Sequence, residues 1–218
     1  SYHSALVLGA AGLLAALWRV CRAVFSERRS ALNAFTLAAL GGGLGWIALI
    51  GGLTSPDLWV AEAYPLLAAF TNAHFPLGLA LQVLLLTPLR SINPLSPRHM
   101  FGVVLAGLLL ALVYPFGLVV AGATLAVHTA LRGWRRLPLG AELQRLAAVA
   151  LGGLPYAVYA LWVVNQHPVL SQWNAQNITP APTPIELLWG VAPAVLVGVF
   201  GAYVSWRRGQ TPANLLVH

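Results

Sequence analysis

The sequence predicts an all-α polytopic membrane bundle, with about five full spans plus a short or re-entrant helical hairpin. Three observations predict it. Only 8% of the 218 residues are charged, against 59% hydrophobic, whereas a soluble domain carries about a quarter charged residues. So few charges cannot cover a water-facing surface. The apolar residues fall in runs near the roughly 20 residues that a bilayer crossing needs. The basic residues are all Arg and lie between those runs. The net charge of +7 therefore forms no continuous basic face, and nucleic acid is excluded as a partner. The expected partner is the lipid bilayer. Cys21 is the only cysteine; it reads as a small apolar helix residue and has no disulfide mate.

Residues 1–218 read as a single transmembrane domain. The first span is 5–25, with Arg19 and Arg22 near its end able to snorkel. The second is 31–53, where Gly41, Gly42, Gly43 and Gly45 permit a close neighbour or a bend. Residues 54–63 form a loop, and 66–89 the third span, broken by Pro76. The stretch 101–131 is too long for one crossing, and Tyr114-Pro115-Phe116-Gly117 divides it. It reads as a hairpin of two short helices, 101–113 and 116–131, packed where broken backbone can be satisfied by protein. The last spans are 146–164, kinked at Pro155, and 187–206. Between them lies the amide- and proline-rich loop 165–186.

Orientation follows from the arginines. Arg19, Arg22, Arg28 and Arg29 follow the first span; Arg90 and Arg98 follow the third. Arg132, Arg135, Arg136 and Arg145 follow the hairpin, and Arg207 and Arg208 the last span. All fall on one side, which the positive-inside rule makes cytoplasmic in a plasma-membrane protein. The alternate loops hold Asp57, Glu62 and Glu186 and no Arg. The N-terminus is then external. With Ser1-Tyr2-His3 at the start, an apolar run at the end and no signal-peptide pattern, the chain is expected to be a portion of a longer protein.

The external face collects the polar chemistry. Asp57 and Glu62 are the candidate catalytic carboxylates, as a general base or as ligands of a divalent cation with His74. Trp173, Asn174, Gln176 and Asn177 are candidate sugar contacts, the aromatic ring for stacking and the amides for hydroxyls. The competing reading is an interfacial belt, in which Trp and Tyr sit at headgroup level and the amides simply face water. His74, at the start of a span, is either functional or an interfacial cap. His128 reads as a packing histidine, and Glu186 as the dipole partner of the last helix. No tight metal-ligand spacing such as HExxH is present.

Several stretches together resemble a bacterial family of large polytopic membrane proteins grouped with C-type, polyprenyl-phosphate-sugar-dependent glycosyltransferases. They are Gly43-Leu44-Gly45-Trp46, Asp57-Leu58-Trp59-Val60-Ala61-Glu62-Ala63 and Asn72-Ala73-His74-Phe75. Tyr114-Pro115-Phe116 and the run from Trp173 to Pro184 look like that family's helix break and Pro-rich external loop. Ala73 stands where members often carry proline. The resemblance implies a polyprenyl-phosphate sugar as donor. It also implies a catalytic acidic residue in a first external loop, ahead of Ser1. Two functions follow as expectations: sugar transfer from a lipid carrier on the external face, or a non-catalytic accessory subunit beside other membrane subunits. A transporter is disfavoured, because no span centre carries paired charges.

Overall fold

A computed structural model of the chain describes residues 2–87, 95–176 and 181–207. Among them all regular structure is helical. Five helical stretches are long and apolar enough to cross a bilayer: Tyr2–Val24, Arg28–Ile50, Pro115–Trp134, Gly140–Gln166 and Pro184–Gly201. The protein is thus a multi-pass membrane protein by helix length and composition. The chain divides into two compact units, residues 2–83 with 181–207, and residues 84–176.

In the first unit, α1 (Tyr2–Val24) and α2 (Arg28–Leu40) form an antiparallel pair joined by a three-residue turn. Trp18 meets Phe35 edge-on, with ring centroids 5.7 Å apart. Leu13 and Ala16 of α1 pack with Ala80 of α5 (His74–Leu86) in a small buried core. Gly9 lets Pro76 approach: a side-chain carbon there would lie 3.2 Å from the proline ring.

The second predicted span does not run straight. It stops at Leu40, leaves the helical path over Gly41–Leu44, and resumes as α3 (Gly45–Ile50). The third also breaks, though not at Pro76. It is α4 (Pro65–Phe70), then α5, interrupted at Thr71–Ala73. Pro76 fits inside α5 because it lies in the first turn, where its missing N–H has no intrahelical partner to lose. Residues 54–63, expected as an open loop, wind into two 3-10 turns, Pro56–Leu58 and Ala61–Ala63. The last helix, α10 (Pro184–Arg207), starts three residues earlier than expected. Thr183 is the reason: its N–H donates to a Glu186 carboxylate oxygen at 2.7 Å, and the Glu186 N–H donates back to the Thr183 hydroxyl at 3.4 Å. This is a capping box, and it satisfies otherwise orphaned donors of the first turn.

In the second unit, α6 (Pro97–Val113) and α7 (Pro115–Trp134) are the arms of the expected hairpin, but longer, at 17 and 20 residues. Ser96 caps α6, accepting from the His99 N–H, and Pro97 occupies the first helical position, so the helix begins ahead of the apolar run. The second arm, begun at Pro115, reaches spanning length. The corner is one residue, Tyr114, buried between Val113 and Pro115, its N–H donating to the Leu110 carbonyl at 2.7 Å. Helix α8 (Gly140–Gln166) packs closely along α6. The closeness rests on small residues: a side-chain carbon at Gly107 would lie 2.9 Å from the Val149 carbonyl, and one at Gly152 would collide with that of Val104. Gly107 with Ala111, and Ala148 with Gly152, give each helix a small-xxx-small stripe. Within the predicted loop 165–186, Pro168 starts a further helix, α9 (Pro168–Gln176).

Candidate functional site

A helix break and a proline-containing helix meet in the first unit, and the physics of proline and glycine explains how. Pro193 lies inside α10 and has no N–H. The carbonyl four residues back, that of Trp189, is therefore released from the helix ladder. The Leu44 N–H, freed by the break between α2 and α3, donates to it at 2.8 Å. Each break supplies the partner that the other lacks. Gly43 and Gly190 allow the contact, since a side-chain carbon at Gly43 would lie 2.5 Å from the Gly190 carbonyl oxygen.

The segment after α3 is tied to the same place. One Asp57 carboxylate oxygen, Oδ2, accepts the Gly45 N–H at 3.1 Å and so caps the first turn of α3. The other, Oδ1, is buried and has no hydrogen-bond partner among the described residues. The Tyr64 hydroxyl donates to the Gly190 carbonyl at 2.8 Å. Ser55 is fully buried, its hydroxyl 3.4 Å from the Glu186 carbonyl, and Thr54 reaches the Glu186 carboxylate at 3.2 Å. Burial first, and the Asp57 carboxylate second, push the Tyr64 phenol above its ordinary range.

The residues singled out from sequence divide into two groups. Asp57, Glu62 and His74 belong to the first unit. Asp57 is turned inward against Gly43 and Gly45. Glu62 is partly exposed on the second 3-10 turn. His74 is exposed at the start of α5, its ring 4.1 Å from that of Phe75. Just ahead, the Tyr2 hydroxyl donates to the Asn72 side-chain oxygen at 3.1 Å and to the Thr71 carbonyl at 3.0 Å. Trp173, Asn174 and Gln176 lie on α9 in the second unit, on a helix exposed along its whole length. Asn177 lies outside the described residues. Among the described residues no three His, Cys, Asp or Glu side chains converge as a metal cluster would require. Glu186 serves its own helix start, as the dipole argument expected.

Ser55 and Gly190 carry the junction without having been singled out by sequence reasoning, and Tyr64 was expected only among the external-face aromatics. One signal was legible: Pro193 four residues after Trp189 announces a free carbonyl. A second polar cluster was not anticipated. On α8, Glu142 and Arg145 are buried at 6% and 5% exposure. Glu142 lies 3.4 Å from the His128 ring of α7, and the Arg145 guanidinium donates to the Thr87 carbonyl at 2.6 Å. His128 is thus a packing residue with a carboxylate partner.

No protein-family model, curated protein or solved structure matches this chain.

Proposed function

We propose that this multi-pass membrane protein is glycosyltransferase-like and acts on a sugar carried by a polyprenyl phosphate. The observation that supports this reading is the segment 51–76. Between two apolar helical stretches the chain makes only short helical pieces, stitched down by buried hydrogen bonds, and leaves polar groups outward. Glu62 is partly exposed there, and Trp59, Asn72 and His74 are exposed. Irregular backbone beside membrane helices is tolerated where it packs on protein or lines a watery cavity. Polar groups at such places are most often functional. Glu62 is the acid–base carboxylate in this reading, the group that would take a proton from an acceptor hydroxyl. Trp59 offers a stacking face to a sugar ring, and His74 a partner for the carrier phosphate. Asp57, directed into the protein, is a positioning residue. Trp173, Asn174 and Gln176, exposed on α9, remain sugar-contact candidates of the second unit by themselves. The arginine-rich turns face the cytoplasm of the plasma membrane, and the site faces outward.

The test is transfer of a radiolabelled sugar from a polyprenyl-phosphate donor by the chain in lipid nanodiscs. Glu62→Gln should lower transfer by about a hundredfold or more while the helical content stays constant. Undiminished transfer in that variant removes the assignment.

A second reading, an accessory subunit of a larger membrane complex, is supported by α10. Val195, Leu196, Val199 and Phe200 of that helix are all exposed. Purification from the native membrane with stoichiometric neighbouring subunits, and no transfer, selects that reading.

A further inference from the structure

The junction between the α2–α3 break and α10 is rich in oxygen and poor in positive charge. A side-chain carbon placed at Gly190 would lie 2.9 Å from the Tyr64 hydroxyl and 3.1 Å from the Ser55 hydroxyl. One placed at Gly43 would lie 2.5 Å from the Gly190 carbonyl oxygen and 2.7 Å from the Asp57 carboxylate carbon. One at Gly45 would run into Asp57 Oδ1 itself. Three glycines thus bring two hydroxyls, one carbonyl and one carboxylate into a single small volume. Ser55 is fully buried and Tyr64 is 9% exposed. The elements that build this volume, residues 41–64 and 183–193, contain no Arg, Lys or His. Asp57 forms no ion pair among the described residues, and its Oδ1 is buried with no donor. Leaving a buried carboxylate oxygen without a partner is unfavourable, so the arrangement asks for a positive group.

We propose that this cluster binds one sodium-sized monovalent cation, with Asp57 Oδ1 as the charged ligand and the Ser55 hydroxyl, the Tyr64 hydroxyl and the Gly190 carbonyl as neutral ligands. Both hydroxyls already donate their protons, to the Glu186 and Gly190 carbonyls, which leaves their lone pairs free to face a cation. All-oxygen ligation selects a hard ion over a transition metal. A single carboxylate neutralises one charge, and a second, uncompensated charge beside membrane helices is costly. Both points select a monovalent ion over calcium or magnesium. The last turn of α2 adds its negative dipole end to the same break, as half-helix C-termini do in other discontinuous membrane helices. The cation ties the segment 51–64 to α10, so the stability of the first unit depends on it. This inference is independent of sugar transfer.

The test uses the full chain in nanodiscs at constant ionic strength, with sodium chloride exchanged for potassium or choline chloride. Thermal unfolding should shift upward with sodium, saturably and by a few degrees or more. Asp57→Asn should abolish the sodium-dependent shift, and Ser55→Ala should weaken it. Equilibrium dialysis with radioactive sodium should find about one saturable site per chain, displaced poorly by calcium or magnesium. A wild-type midpoint equal in sodium and choline overturns the proposal. So does a sodium shift that survives in Asp57→Asn, or preferential binding of a divalent ion. If Asp57→Asn does not fold, the dialysis on wild-type chain and Ser55→Ala decides alone, and absence of saturable sodium binding in the wild type overturns the proposal.

Discussion

The Asp57 carboxylate accepts the Gly45 N–H at 3.1 Å and presses its other oxygen against the same residue. This contact joins the turn after α3 to the start of α3, so the helix break and the polar segment form one structure. A loop residue placed by sequence at the edge of the membrane thereby determines where a membrane helix resumes.

Gly45→Ala tests that contact directly. The new methyl group meets Asp57 and, at 2.9 Å, the Ser55 side chain. Both neighbours are held by hydrogen bonds and packing, so overpacking of about 1–3 kcal/mol is expected. Gly42→Ala is the control, since nothing lies within 4 Å of its new carbon. Thermal unfolding of the two variants in the same lipid should separate them, with Gly45→Ala alone destabilised.

Tyr64→Phe removes a buried donor and leaves the Gly190 carbonyl one hydrogen bond short. A loss of about 1 kcal/mol is expected. The pH dependence follows from the raised phenol. Burial and Asp57 disfavour the phenolate in the folded protein. The unfolded chain therefore ionises first, at about pH 10. The stabilisation is fully present below that pH and is lost as pH rises through the higher folded value. Melting curves between pH 8 and 11 should show wild-type stability falling at the alkaline end. In Tyr64→Phe that fall should be reduced.

Much of this fold is readable from residue types, and the exceptions share a cause. The apolar runs mark where helices form because lipid exposure imposes composition directly, but not which are long enough to cross: the run 66–89 holds two short helices, and the expected short arm 116–131 is part of a helix of spanning length. The glycines at 41–43 announced a bend but not a full break. The break is stable only because the Trp189 carbonyl, distant in sequence, accepts the Leu44 N–H. Asp57 was legible as chemically notable, yet its direction was not. An Asp in a polar turn looks the same whether it faces water or caps a helix start. Glu142 and Arg145 look like ordinary turn charges, and only the packing of α8 buries them. In each case the missing information is a tertiary contact between segments far apart in the chain.

Gly152→Ala should be among the most damaging small substitutions in the second unit. Its new carbon would collide with the Val104 carbonyl and lie 3.1 Å from the Leu108 nitrogen. Both obstacles are backbone, so α6 and α8 must separate. A cost of about 1–3 kcal/mol is expected. Gly122→Ala has open space and replaces a helix-interior glycine, so it should be neutral or stabilising by up to about 1 kcal/mol. Hydrogen exchange of α6 and α8 amides should speed up in the first variant alone.

The orientation can be decided across α8. Its 27 residues span about 40 Å at 1.5 Å per residue, longer than a hydrocarbon core of about 30 Å. Pro155 bends such a helix but does not fold it back. Arg135 lies before its first turn, and Asn174 lies beyond its end on α9. Single cysteines at the two positions, Arg135→Cys and Asn174→Cys, should therefore react with a membrane-impermeant maleimide from opposite compartments. Cys21 is buried and should contribute little background. The proposed orientation, with the arginine-rich turns cytoplasmic, predicts that intact cells label position 174 and inverted vesicles position 135. Labelling of both positions from one compartment would mean that α8 does not cross the membrane, and the proposed orientation would have to be abandoned with it.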